Sequence, residues 1–189
     1  FMLYGITLLL IAIIFSVIML ITCALMAHRK RKTEFRKALV TYCLFIIFLW
    51  LQWAFGLDLN LWFVSLALIT VIGHDTFGYL CDYYHRSRHF DRYLHALGSY
   101  SFALFVFDFL NRLAPHAFSF RPYTAIFIGT LGLSLCSLFE ICEFISDAQP
   151  NARKKHPQNQ HGLRDTNFDL VSDVIGAAVA GLTYYFFLF

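Results

Sequence analysis

The stretch LYGITLLLIAIIFSVIMLITCALMAHRKRKTEFRK, residues 3–37, decides the fold class. Its first 25 residues carry no formal charge, and six of its last ten are Lys or Arg. An uncharged run of that length crosses the hydrocarbon of a bilayer as a helix, because only a helix satisfies its own backbone where no water is present. The basic block behind it is the signal that holds a helix end at the cytoplasmic face. A cleaved secretory signal has the opposite order, with charge ahead of a short apolar core. Residues 1–27 therefore read as a retained span, with Met2 behind Phe1 expected as the native start.

The rest of the chain repeats this pattern. Of 189 residues, 59% are hydrophobic and 14% charged, against the roughly 25% charged of a soluble domain. A water-soluble domain is thereby excluded. Weakly charged runs predict helices at about 3–27, 38–56, 59–81, 91–110, 121–145 and 167–188. The expected architecture is all-α: a polytopic membrane protein, residues 1–189 forming a single six-helix transmembrane domain. Thirteen of the fifteen basic residues fall in the first, third and fifth loops, including Arg86, Arg88, Arg92, Arg153, Lys154, Lys155 and Arg164. The positive-inside rule then places both termini outside and the odd loops in the cytoplasm, as expected in a bacterial cytoplasmic (inner) membrane.

Smaller signals agree. Trp50, Trp53 and Trp62 fall at the expected outer ends of the second and third spans, as an interfacial belt does. Asp108 and Arg112 have the i,i+4 spacing of a helical ion pair. Gly176 with Ala180, Ala177 with Gly181, and the pair Gly129 and Gly132 predict close helix packing. Cys23, Cys43, Cys81, Cys136 and Cys142 show no framework spacing and predict no disulfide. The net charge of +3 with no basic stripe argues against a nucleic-acid partner. Ala148 to Arg164, with His156 and His161, reads as an irregular cytoplasmic loop.

Function is carried by the acidic residues, because an ionisable group inside a span is costly and tends to mark a site. Nine of the twelve, namely Asp75, Asp82, Asp91, Glu140, Glu143, Asp147, Asp165, Asp169 and Asp173, map to the cytoplasmic half of the last four spans or its edge. Helical spacing puts Asp75 with Asp82, Asp91 with His95, Glu140 with Glu143 and Asp147, and Asp165 with Asp169 and Asp173 on four stripes. Asp75, His95, Glu140 and Asp173 share a depth of roughly 5 to 12 Å inside the boundary, at 1.5 Å per residue. Like charges at one depth need metal ions, arginine partners or protons. The candidate metal ligands are His95, Glu140, Glu143, Asp169 and Asp173, with His74 and Asp75 as further candidates.

HFDRYLHALGSY (89–100), FEICEF (139–144) and RDTNFDLVSDVIGA (164–177) resemble the signature segments of the YjdF-type bacterial inner-membrane proteins, and more weakly those of VanZ-like proteins. The resemblance covers about the second half of the chain. It singles out Asp91, Arg92 and His95, Glu140 and Glu143, and Asp165, Thr166, Asp169, Gly176 and Ala177. It implies a shared membrane site without naming a reaction.

Three functions compete. The first is a metal-dependent enzyme acting on a membrane lipid or lipid-linked phosphate, a hydrolase or transferase. Asp91, His95, Glu140, Glu143, Asp165 and Asp169 would be its catalytic groups, Arg92 and Arg164 would bind substrate, and a divalent ion (Mg²⁺, Mn²⁺, Zn²⁺ or Fe²⁺) would be its cofactor. The second is a non-catalytic accessory or immunity protein binding a lipid headgroup or a partner. The third is a proton or divalent-cation transporter, against which stands the crowding of the carboxylates at one end of the helices.

Overall fold

A computed structural model describes residues 2–87, 89–114, 118–148 and 163–188. Arg88, Arg153, Lys154, Lys155, His156 and His161 lie outside the described residues, as does most of the loop expected at 148–164, and the side chain of Asp147 is likewise not described. The described residues are all-helical, and six helices are long and apolar enough to cross a membrane: Leu3–His28, Lys32–Phe55, Leu61–Leu80, Phe90–Leu113, Arg121–Ile145 and Leu163–Leu188. The six expected spans are all present. The chain divides into two compact units, Phe1–Phe90 and Asp91–Phe189.

In the first unit, α1 (Met2–His28) and α2 (Lys32–Phe55) pack along a seam of Phe15, Met19, Cys23, Met26, Ala38 and Phe45. The α1 positions recur at helical spacing, so one face is buried and the other presents Ile, Leu and Val to the surroundings. Helix α2 begins six residues before the expected boundary at 38, because backbone hydrogen bonding continues through charged side chains that lie past the hydrocarbon. It stops at Gly56, whose φ of 60° is a left-handed cap and whose N–H reaches the carbonyls of Gln52 and Trp53. Asn60 caps α3 (Leu61–Ile72) by accepting from the Trp62 N–H at 3.0 Å.

The expected third span at 59–81 is not one uniform helix. Its last eight residues form a π-helical segment, π1 (Gly73–Leu80), followed by a short α4 (Tyr83–Arg86). The ring of Tyr84 lies where a side chain on Gly78 would be, so any larger residue there must displace that ring. Arg29 and Arg31 donate to the carbonyls of Leu80 and Tyr79, satisfying acceptors that the end of π1 leaves open. Asp82 lies beyond π1 with φ of 66° and faces His85, its Oδ1 3.0 Å from Nδ1. The expected stripe of Asp75 with Asp82 therefore does not form, since seven residues share a face only while the helix stays α.

In the second unit, α5 (Phe90–Leu113), α6 (Arg121–Ala148) and α7 (Leu163–Thr183), extended by π2 (Tyr184–Leu188), meet through small residues. A Cβ on Gly176 would run into the Ala96 carbonyl of α5. One on Gly181 would stand 2.6 Å from the Ala125 carbonyl of α6, and one on Gly132 would stand 3.0 Å from the Ser99 carbonyl of α5. The glycines predicted to bring helices together thus do so at backbone distance. Arg112 and Asp108 form the expected pair, Nε to Oδ1 3.5 Å.

Candidate functional site

The close approach of α5, α6 and α7 brings their acidic faces around one imidazole. His95 is buried in the second turn of α5, at 8% exposure. Its Nδ1 lies 3.1 Å from Oδ1 of Asp173 on α7. On the other side of the ring, Nε2 is 3.5 Å from Oε1 of Glu140 on α6 and 3.7 Å from Oδ1 of Asp91, one turn earlier on α5. Glu140, Asp169 and Asp173 are 6%, 4% and 1% exposed.

Helix register explains this convergence. Asp91 and His95 are four apart on α5, and Asp169 and Asp173 are four apart on α7, so each helix turns two functional groups inward. Gly176, one turn past Asp173, lets α7 touch α5. The Ser99 hydroxyl, one turn past His95, donates to the Asp173 carbonyl at 2.8 Å and fixes the register. Ring-edge contact with Phe139, centroids 6.2 Å apart, closes the imidazole from another side.

The two faces of His95 differ in chemistry. A carboxylate at Nδ1 accepts the ring N–H, which leaves the Nε2 lone pair directed at Glu140 and Asp91. A lone pair facing carboxylates is repulsive unless a positive species lies between them, either a second ring proton or a cation. Asp91, His95 and Asp169 offer ligand atoms that all lie within 4.8 Å of one another. Donors around one divalent ion stand roughly 3 to 4.5 Å apart, given bonds of about 2.0 to 2.4 Å. Small side-chain rotations would close that gap. Oδ1 of Asp169 and Oδ2 of Asp173 are buried without a hydrogen-bond partner among the described residues, and a buried carboxylate oxygen left so is costly. The hard oxygen and imidazole donors suit Mg²⁺, Mn²⁺ or Zn²⁺.

Of the residues expected at a site, Asp91, His95, Glu140, Asp169 and Asp173 come together here. Asp165 lies half-buried one turn before Asp169 and within its electrostatic reach. Glu143 is half-buried on α6, three residues past Glu140. His74 and Asp75 belong to the first unit, on π1, with Nδ1 to Oδ1 at 3.2 Å. Arg92 and Arg164 both stand over the ring of Phe168, 4.1 and 5.6 Å from its centroid. Sequence reasoning missed Ser99 and Phe168. Ser99 was open to discovery at i+4 from His95, whereas nothing in the pattern of charges marks an aromatic ring as their support.

Neither the curated proteins nor the solved structures contain a match to this chain. A family model described as "Predicted membrane protein" matches residues 7–188, so the chain is a member of that membrane protein family, DUF2238.

Proposed function

We propose that this integral membrane protein is a metal-dependent hydrolase or transferase acting on a lipid or lipid-linked phosphate from the cytoplasmic side of a bacterial inner membrane. The observation that carries this reading is the two-faced environment of His95: one carboxylate at Nδ1, and two carboxylates at Nε2 beside the buried Asp169. An imidazole oriented by a carboxylate through one nitrogen while its other nitrogen binds a metal is a recurrent arrangement. Asp91, His95 and Asp169 would hold the ion, with Glu140 at its side. Asp173 would act as a positioning residue that fixes the tautomer and angle of His95. When bound, a divalent ion there would polarise a phosphoryl oxygen or lower the pKa of water.

The chain's own groups divide the remaining work. Glu140 and Glu143 lie one turn apart, so one can accept a proton while the other stays with the ion. Asp165, in the first turn of α7 and one turn before Asp169, would be a further acid–base group. Arg92 and Arg164 offer positive charge for the phosphate.

Elemental analysis of the detergent-purified full chain, supplied with divalent ions throughout, tests the reading. The expected result is a tightly held divalent ion in the wild type and its loss in the Glu143→Gln, Asp169→Asn double variant. An equally metal-free wild type would overturn it and leave the extra positive charge to a protonated His95.

A further inference from the structure

From the pair of arginines over a single ring we infer that Arg92, Phe168 and Arg164 form a platform that grips a phosphoryl group, with Phe168 as the positioning residue. This deepens the phosphate reading above and rests on it for its place beside the carboxylates. Arg164 and Phe168 are one turn apart on α7, while Arg92 reaches the same ring from the first turn of α5. Both guanidinium centres lie within 6 Å of the ring centroid. The ring face attracts each guanidinium and so holds both positive charges at one place. A doubly charged anion at the ring accepts guanidinium N–H groups pairwise, the geometry for which a planar fork is suited.

Three further observations point the same way. Arg164 is exposed, and its guanidinium makes no ion pair among the described residues beyond its contact with Phe168. Phe168 is 38% exposed, so one side of the platform is open. Both arginines sit in first turns, at the positive ends of the α5 and α7 dipoles. Arg92 follows Asp91 on α5 and Phe168 precedes Asp169 on α7, so the platform sits at the same level along both helices as the carboxylate group. The ligand chemistry is that of a phosphate ester or free phosphate.

Titration calorimetry of the purified full chain with inorganic phosphate, in the presence of Mn²⁺ and with bound Mn²⁺ measured separately, tests the platform. Phe168→Leu, which keeps apolar volume and removes the ring, and Arg164→Gln should each weaken phosphate binding roughly tenfold, the scale of partly shielded cation–π contacts. Phe168→Tyr should retain it, and bound Mn²⁺ should be unchanged in all three. A merely structural Phe168 would give the same phosphate affinity in Leu and Tyr variants, and that outcome overturns the proposal. If Phe168→Leu does not fold, the exposed Arg164→Gln carries the test alone. Bound Mn²⁺ with no phosphate affinity sinks the platform and leaves the metal reading standing. Arginine-dependent phosphate affinity without Mn²⁺ does the reverse. Nanodiscs of phosphatidylcholine with and without phosphatidic acid then assign the source. Competition by phosphatidic acid identifies a lipid headgroup, and its absence alongside Arg164-dependent phosphate binding identifies free phosphate.

Discussion

Each of the two units buries an aspartate beside a histidine, but from different parts. In the first, His74 and Asp75 are neighbours on π1, with the rings of Tyr79 and Tyr84 4.9 and 5.8 Å from the imidazole and the hydroxyls of Thr22 and Thr76 joined nearby at 2.8 Å. In the second, His95 receives carboxylates from three helices and from both ring nitrogens. A pair made from adjacent residues draws on one element and is walled in by aromatics, as a structural group is, although Oδ2 of Asp75 has no hydrogen-bond partner among the described residues. A histidine ringed by carboxylates from separate helices has a net negative surround that local hydrogen bonds do not cancel. Burial of an Asp–His pair in a span is therefore weaker evidence of a site than the number of elements that contribute to it.

The largest effect expected from this contrast is in metal content. His95→Gln or Asp169→Asn should abolish divalent-ion binding, whereas His74→Gln or Asp75→Asn should leave it unchanged, as read by elemental analysis of matched preparations. Metal lost from the second pair of variants as well would break the distinction between the units.

The sequence made much of this visible and some of it not. All six spans could be read because hydrocarbon requires about 20 apolar residues of any helix that crosses it. Their ends could not, since Lys32 and Leu163 start helices inside charged stretches where hydropathy is silent. Asp91 with His95 and Asp169 with Asp173 were legible from i,i+4 spacing alone. Which carboxylate takes Nδ1 and which faces Nε2 was not, because that depends on how far α6 and α7 are rotated about their axes. The π-helical turn at Gly73–Leu80 was also hidden: the contacts around it, the Tyr84 ring on Gly78 and two arginines from another loop, come from outside the segment. The expected pairing of Asp75 with Asp82 failed for that reason.

Next in size is a packing effect. Gly176→Val forces a side chain into the Ala96 backbone, which cannot rotate away, and should cost about 3 kcal/mol or enough to prevent folding. Gly78→Ala meets only the rim of the Tyr84 ring, which can swing aside at a cost of about 1 kcal/mol. Thermal unfolding in detergent checks both, and equal losses would mean that the first unit is packed as rigidly as the second. Smaller again is Asp173→Asn, which keeps the shape and an acceptor for His95 but removes the charge. Metal affinity should fall by about 10- to 100-fold, as found when a carboxylate behind a ligating histidine is altered, and competition with a chelator measures it. An undiminished affinity would return Asp173 to a purely structural role.

The smallest effect should come from Asp75→Asn in the first unit. The amide oxygen still accepts from His74 at the position of Oδ1, 3.2 Å away in the native protein. Oδ2 has no hydrogen-bond partner among the described residues, so the amide nitrogen replaces one poorly satisfied atom with another while removing a charge that would need compensation. The expected change in stability is about 1 kcal/mol or less, measured by thermal unfolding against the wild type. A loss several times larger would show that Asp75 is ionised and that its charge is matched within the first unit. It would then be a second buried charged centre, and the contrast between a pair drawn from one element and a three-helix site would have to be drawn on metal binding alone.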